Sequence, residues 1–219
     1  MMKLSNATVG VLKNFAEINQ NILIEEGKQL RTMSVMKNIL ASAGVPEEFP
    51  KNVGIYDLNE FLGVLSMTKD ADIEFEDSHM TMKFGRTKIT YMYSDTSILT
   101  LPPETFNEPE IDLNFDIDKE LLQNLLKASA VMQLPDVIMH NGEVTVTDLK
   151  NTTSNNYSVE LPETTSENGS WRMFRCHFKA ENLKMLPGDY AVRVATAANV
   201  SQWVGEEASY WIAMEATVD

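Results

Sequence analysis

Cysteine occurs once in the 219 residues, at Cys176, so no internal disulfide can form and the chain fits a reducing compartment. No uninterrupted apolar run reaches the ~18 residues that a bilayer crossing needs, and residues 1–17 show no long apolar run after Lys3. The expectation is a cytosolic protein with no membrane span or secretory signal. Basic residues are also scarce: 18 Lys and Arg face 32 Asp and Glu, a formal net charge of −14. That balance excludes a chain that is cationic overall and binds nucleic acid by counterion release, but it does not say where the charges sit.

Enzyme motifs are missing too. The ten glycines are scattered and build no phosphate-binding loop. Three histidines and one cysteine give no paired-ligand spacing for zinc. Cys176 and His177 are adjacent, and strand alternation predicts one core thiol and one surface imidazole. The run Asp112, Asn114, Asp116, Asp118 has the spacing of a calcium loop, but Ile117 stands where that loop needs Gly and Gln123 is its twelfth residue. No nucleophile elbow is present. No catalytic residue, metal ligand or cofactor is assigned, and a binding or scaffold role is expected.

What the chain does contain is apolar material for a core, 43% of residues, and an internal repeat. Residues 11–16 (Val-Leu-Lys-Asn-Phe-Ala) are echoed by 125–130 (Leu-Leu-Lys-Ala-Ser-Ala), each within a helical pattern. A strand, a turn ending in Gly and a second strand follow in both copies, at 22–30 around Gly27 and at 137–146 around Gly142, and read as tight hairpins. A short amphipathic helix comes next, at 56–62 and at 178–185. Strands then resume at 73–75, 81–84 and 88–93 in one half, and at 190–194, 202–204 and 210–214 in the other.

The reading is an α+β chain of two similar domains, 1–99 and 117–219, each with two helices packed on antiparallel sheet. Residues 100–116 join them. Pro102, Pro103 and Pro109 stand there, and seven acids against one Lys fall between Glu104 and Glu120, the marks of an extended connector. Residues 164–170 read as a loop. The first helix has Ser5 or Asn6 as its cap and Val11, Phe15 and Ile18 as its apolar stripe; the third starts near Asp118 with Leu122, Leu125 and Leu126. Lys119, Gln123 and Lys127 recur every fourth residue on that helix's polar face, which by itself reads as a solvated face with ordinary lysines.

Six patches together resemble the DNA polymerase sliding clamps of T-even-like bacteriophages. They are Met2-Lys3-Leu4-Ser5; Leu12-Lys13-Asn14-Phe15-Ala16; Ile55-Tyr56-Asp57-Leu58-Asn59 with Phe61-Leu62-Gly63; Leu121-Leu122-Gln123-Asn124-Leu125-Leu126-Lys127; Met185-Leu186-Pro187-Gly188-Asp189-Tyr190; and Met214-Glu215-Ala216. The resemblance implies a closed homotrimeric ring of six clamp domains, helices lining the hole and strands outside. It implies a non-enzymatic processivity factor that encircles double-stranded DNA without reading sequence. Its implied partners are an ATP-driven clamp loader, a C-terminal peptide of the polymerase and late-transcription factors, all in the cytoplasm of an infected bacterial host.

By the same resemblance Lys13, Lys119, Lys127, Lys179 and Lys184 face DNA, and Leu134, Pro135, Tyr210, Trp211, Ile212 and Met214 form the partner-peptide pocket. Alternation along a strand makes about half of Tyr210 to Met214 ordinary core residues. The four hole-lining segments, 5–19, 55–67, 117–133 and 178–187, hold five lysines and six acids, so 13 of the 14 net negative charges lie elsewhere. On residues alone two other classes stay open: a duplicated α+β peptide-binding scaffold that never encircles DNA, and an enzyme whose site no motif reveals.

Overall fold

The computed structural model describes residues 1–68, 70–140, 142–161 and 175–216. The loop expected at 164–170 lies outside them. The chain divides into two compact units, Met1–Glu104 and Thr105–Asp219.

The first unit runs α1 (Asn6–Ile18), β1 (Ile22–Ile24), β2 (Gly27–Met33), β3 (Ile39–Phe49), β4 (Val53–Ile55), α2 (Leu58–Met67), β5 (Asp72–Phe75), β6 (His79–Phe84) and β7 (Thr87–Met92). Ser5 opens α1, its hydroxyl accepting the Thr8 N–H at 3.2 Å, and Asp57 opens α2 by accepting from the Glu60 N–H at 3.0 Å. Val11, Leu12 and Phe15 recur at helical spacing and are buried, as are Leu58 and Phe61 of α2. Beneath them β1 pairs antiparallel with β4, and all of Ile22, Ile24, Val53 and Ile55 are buried.

The second unit repeats this order: β8 (Leu113–Ile117), α3 (Lys119–Met132), β9 (Asp136–His140), β10 (Glu143–Thr147), β11 (Tyr157–Glu160), β12 (Arg175–Lys179), β13 (Tyr190–Ala195), β14 (Val200–Val204) and β15 (Ala208–Ala213). Pairing of β9 with β12 matches β1 with β4, and the meander β13-β14-β15 matches β5-β6-β7. The isolated bridge Met2↔Ile73 stands in the first unit where β8 pairs with β13 in the second. Trp203 anchors the second core, with Phe178 at 5.7 Å and Tyr190 at 6.1 Å between ring centroids.

Three expectations need correction. Residues 113–116 belong to strand β8, not to an extended connector: Leu113, Phe115 and Ile117 are buried while Asn114 and Asp116 face out, an alternation that the acid count obscured. The amphipathic helix expected at 178–185 is the end of β12 followed by one 3-10 turn, Ala180–Leu183. The Ala180 N–H is held by the Pro135 carbonyl at 2.9 Å, and Pro187 and Gly188 follow too soon for a second turn to propagate. At 22–30 there is no paired hairpin, because β1 ladders with β4 and β2 with β3, and the chain turns a corner at Gly27, whose φ is +115°. Gly142, at φ +76°, does close a true hairpin between β9 and β10.

The start of α1 is set by tertiary contact as well as by its own cap. Glu47, near the end of β3, accepts hydrogen bonds from the Ser5 N–H and the Thr8 hydroxyl. Burial would raise the Glu47 carboxyl, but these donors more than offset it and hold it below its usual range. Glu47→Gln is therefore expected to lower stability by about 1 kcal/mol. The check is urea unfolding near neutral pH, read alongside the loss of amide-exchange protection in residues 6–9.

Candidate nucleic-acid interface and partner surface

In the first unit a cleft of about 360 Å³ lies along α1 and α2, lined by Val9, Lys13, Leu62 and Leu65 among others. Lys13 is exposed because α1 presents Val11, Leu12 and Phe15 to the sheet and leaves residue 13 on the outer side. In the second unit the equivalent cleft is larger, about 540 Å³, because a single 3-10 turn stands where α2 would be. Leu126 and Ala130 of α3 and its C-cap Gln133, then Leu134, Pro135, Lys150, Lys179 and Lys184, line it.

Lys119 and Lys127 are eight residues apart on α3, both exposed, with Leu122 and Leu125 buried behind them. Neither they nor Lys13 makes an ion pair among the described residues. Lys184 is exposed on the rim of the cleft.

Lys179 differs from these. Its ammonium binds the carboxylate of Asp136, which is 1% exposed. Asp136 also accepts from His177 Nε2 at 2.8 Å and from the Leu149 N–H at 2.9 Å. A carboxylate that only accepts fixes Nε2 as the protonated ring nitrogen, leaving Nδ1 buried with no partner among the described residues. Burial pushes the Asp136 carboxyl up, but Lys179, the Leu149 N–H and His177 together bring it below its usual range. His177 is thus not the surface imidazole expected from alternation. The second face of β12 is covered as well, and the Lys179↔Asp136 strand register sets all three side chains on that side.

Cys176 lies 1% exposed in the core, where burial, with the charge of Asp112 adding, pushes its thiol up to about 12. Among the described residues no group of three or more His, Cys, Asp or Glu could hold a metal ion.

The residues expected to form one peptide pocket fall into three places. Leu134 and Pro135 line the cleft beside α3. Tyr210 and Ile212 are fully buried and belong to the core. Trp211 lies on the other face of β15, its ring 4.8 Å from that of Phe106, and Met214 is partly exposed just past the strand. Lys150 and Asp136 were not foreseen. An acid inside the apolar run Leu134 to Met139 was a readable sign for Asp136, but nothing local marks Lys150, which reaches the cleft only because the chain turns after β10.

Comparison with known proteins yields a consistent set of matches. Residues 3–100 match a family described as DNA polymerase processivity factor, and residues 114–216 match one described as gp45 sliding clamp, C terminal. The chain is 32% identical to the sliding clamp of Vibrio phage KVP40, covering 98% of this chain and all of that one. It is 30% identical to the sliding clamp of Enterobacteria phage T4, over 98% of this chain and 97% of that one. Among solved structures, A. fulgidus PCNA bound to the C-terminal region of FEN-1 superposes with a TM-score of 0.72 at 14% identity, with full coverage of both chains. The DNA polymerase III β subunit of Pseudomonas aeruginosa gives 0.68 at 13% identity; 97% of this chain matches 63% of that longer one.

The Asp136 cluster generates a test of how it holds the cleft wall. A carboxyl held below its ordinary pKa of about 3.9 stabilises the fold above that pH, and the contribution is lost as pH falls through the depressed folded value. Asp136→Asn should cost about 2 kcal/mol at pH 7 and flatten the acid side of the stability curve between about pH 5 and 3. Thermal melts across that range check it; unchanged acid sensitivity would assign the effect to other carboxylates.

Proposed function

Because the chain belongs to the sliding-clamp family of DNA polymerase processivity factors, we propose that it assembles as a closed homotrimeric ring around double-stranded DNA and tethers the replicative polymerase. The protein is a non-enzymatic sliding clamp. A ring holds DNA by topology, so weak, sequence-blind phosphate contacts are enough, and tight binding would oppose sliding. The observation that carries this reading is the charge layout. On a chain of net charge −14, Lys13 and Lys127 stand at repeated positions of the two units and Lys119 lies on the same helix as Lys127, all three exposed and without ion pairs among the described residues. Lys184 adds a fourth cation, and Lys179 serves Asp136 first.

Loading by an ATP-driven clamp loader, capture of the polymerase through a C-terminal peptide, and coupling to late-transcription factors in the cytoplasm of the infected bacterial host complete the proposal. The full-length similarity to phage sliding clamps supports it. The deciding experiment measures product length on a primed circle: the protein should lengthen products only with a cognate loader and ATP. The double variant Lys13→Glu with Lys127→Glu should shorten them several-fold with the fold intact, whereas unchanged lengths would remove these lysines from the DNA face.

Ring closure needs two unlike edges that pair, so that each copy binds the next head to tail. Strand β7 ends the sheet β5-β6-β7, and β11 ends the sheet β11-β10-β9-β12. Their charges are complementary: Arg86 and Lys88 are exposed at β7, and Glu160 is exposed at β11. Antiparallel pairing of these edges between copies gives a particle near three times 24.6 kDa. Lys88→Glu or Glu160→Lys alone should weaken assembly by roughly 1 kcal/mol, and the two together should restore it. Light scattering across a dilution series reads this out; strictly monomeric wild-type protein at high concentration would count against the ring.

A further inference from the structure

The cleft beside α3 carries a charge that its counterpart in the first unit lacks. Lys150, Lys179 and Lys184 line it, with Glu181 as the one acid among the described residues of its wall, whereas the first-unit cleft sets Lys13 against Asp70. Three cations therefore gather on one concave surface of a chain whose net charge is −14. They come from three separate segments: the loop after β10, the end of β12 and the chain just past the 3-10 turn. Lys150 stands outside the helices and so outside the row formed by Lys119 and Lys127 on α3.

One buried carboxylate holds two of these cations in place. Asp136 binds the Lys179 ammonium through Oδ1 and accepts the Leu149 N–H through Oδ2 at 2.9 Å, and Leu149 directly precedes Lys150. The Lys150 N–H donates in turn to Asp148 Oδ1 at 2.9 Å, so the backbone that carries this lysine is anchored twice. An ammonium has three donors; Asp136 takes one from Lys179, whose side chain is still 26% exposed. Lys150 is exposed and makes no ion pair among the described residues. Cations ordered before a ligand arrives lose less freedom when it binds.

Apolar groups complete the wall. Leu134 and Ala180 are buried, and Leu126, Ala130 and Pro135 stand around them. The volume of about 540 Å³ lies in the range that encloses a small organic ligand. Phosphates of a DNA backbone would meet lysines at the rim and leave such an apolar cavity unfilled. A ligand that matches the whole cleft has phosphates for the lysines, a flat apolar body for the leucines and Pro135, and hydroxyl groups for an acid at the edge.

We propose that the second-unit cleft binds a free nucleoside polyphosphate. Lys150, Lys179 and Lys184 hold its phosphates, Glu181 accepts from the ribose hydroxyls, and the base lies against Leu134 and Pro135. Nucleotide and DNA then draw on the same two cations, Lys179 and Lys184, so occupancy of the cleft weakens phosphate contacts in the second unit and leaves those of the first unit intact.

Titration calorimetry on the full chain tests this, with ADP as the probe and no divalent metal, so that lysines alone neutralise the phosphates. Binding should saturate at one ADP per chain. Lys150→Ala, which removes one charge-assisted contact at an exposed position, should weaken it roughly tenfold. Lys28→Ala, at an exposed lysine of the first unit, should leave it unchanged. Inorganic pyrophosphate, which has no body for the apolar wall, should bind at least about tenfold more weakly than ADP. No saturable binding of ADP, pyrophosphate binding as tight as ADP, or full affinity in Lys150→Ala would overturn the proposal. A short DNA duplex at equal phosphate concentration separates the two sources of phosphate: displacement of ADP as complete as by ATP would make the cleft a backbone contact and remove the nucleotide assignment. Thermal melts of Lys150→Ala check that it folds. Product length on the primed circle is read separately, and its failure would remove the clamp assignment while leaving the calorimetry standing.

Discussion

The two-residue period of the β-strand is the constraint on which this structure turns. Each sheet is antiparallel and must give one side chain of every pair to a core roofed by short helices, so the opposite side meets either solvent or a second covering layer. In the first unit the arrangement buries Ile22 and Ile24 under α1. In the second it buries Tyr210 and Ile212, and the same strand then has no choice but to present Trp211 on its other face. A covered core and an aromatic outer surface are two consequences of one backbone geometry.

The two units meet the demand for a helical roof differently. The first supplies two helices, each capped by a side chain, and Glu47 ties the start of α1 to the strand beneath. The second has room for one helix and one 3-10 turn, which opens the larger cleft beside α3. There the wall is fixed by a buried carboxylate and its donors. Removing water from Asp136 is unfavourable, and Lys179, His177 and the Leu149 N–H together offset the cost. A lysine that looks available from its position in the chain is largely committed inside the protein.

Much of the scaffold was legible because it depends on local periodicity. The stripe Val11, Phe15 of α1 and the capping residues Ser5 and Asp118 follow from spacing and side-chain chemistry, and so do the strands of both meanders. Misreadings arose where a long-range contact decided the outcome. Acid content hid the alternation of Leu113, Phe115 and Ile117, whose strand character comes from pairing with β13. The turn at 180–183 has an amphipathic pattern but is stopped by the Pro135 carbonyl and Pro187. His177 followed the alternation rule and still ended buried, since the rule says which side a residue faces and not what covers that side.

The amino-acid sequence by itself determined the duplication, the α+β class, the placing of Lys13, Lys119 and Lys127 on helices and the family to which the chain belongs, because these rest on residue order and short-range spacing. Only the tertiary structure decided which lysine is neutralised by Asp136, which members of Tyr210 to Met214 are core, and that Phe106 lies on Trp211. Those outcomes depend on groups far apart in sequence meeting at a distance of a few ångströms, and no local pattern encodes such meetings.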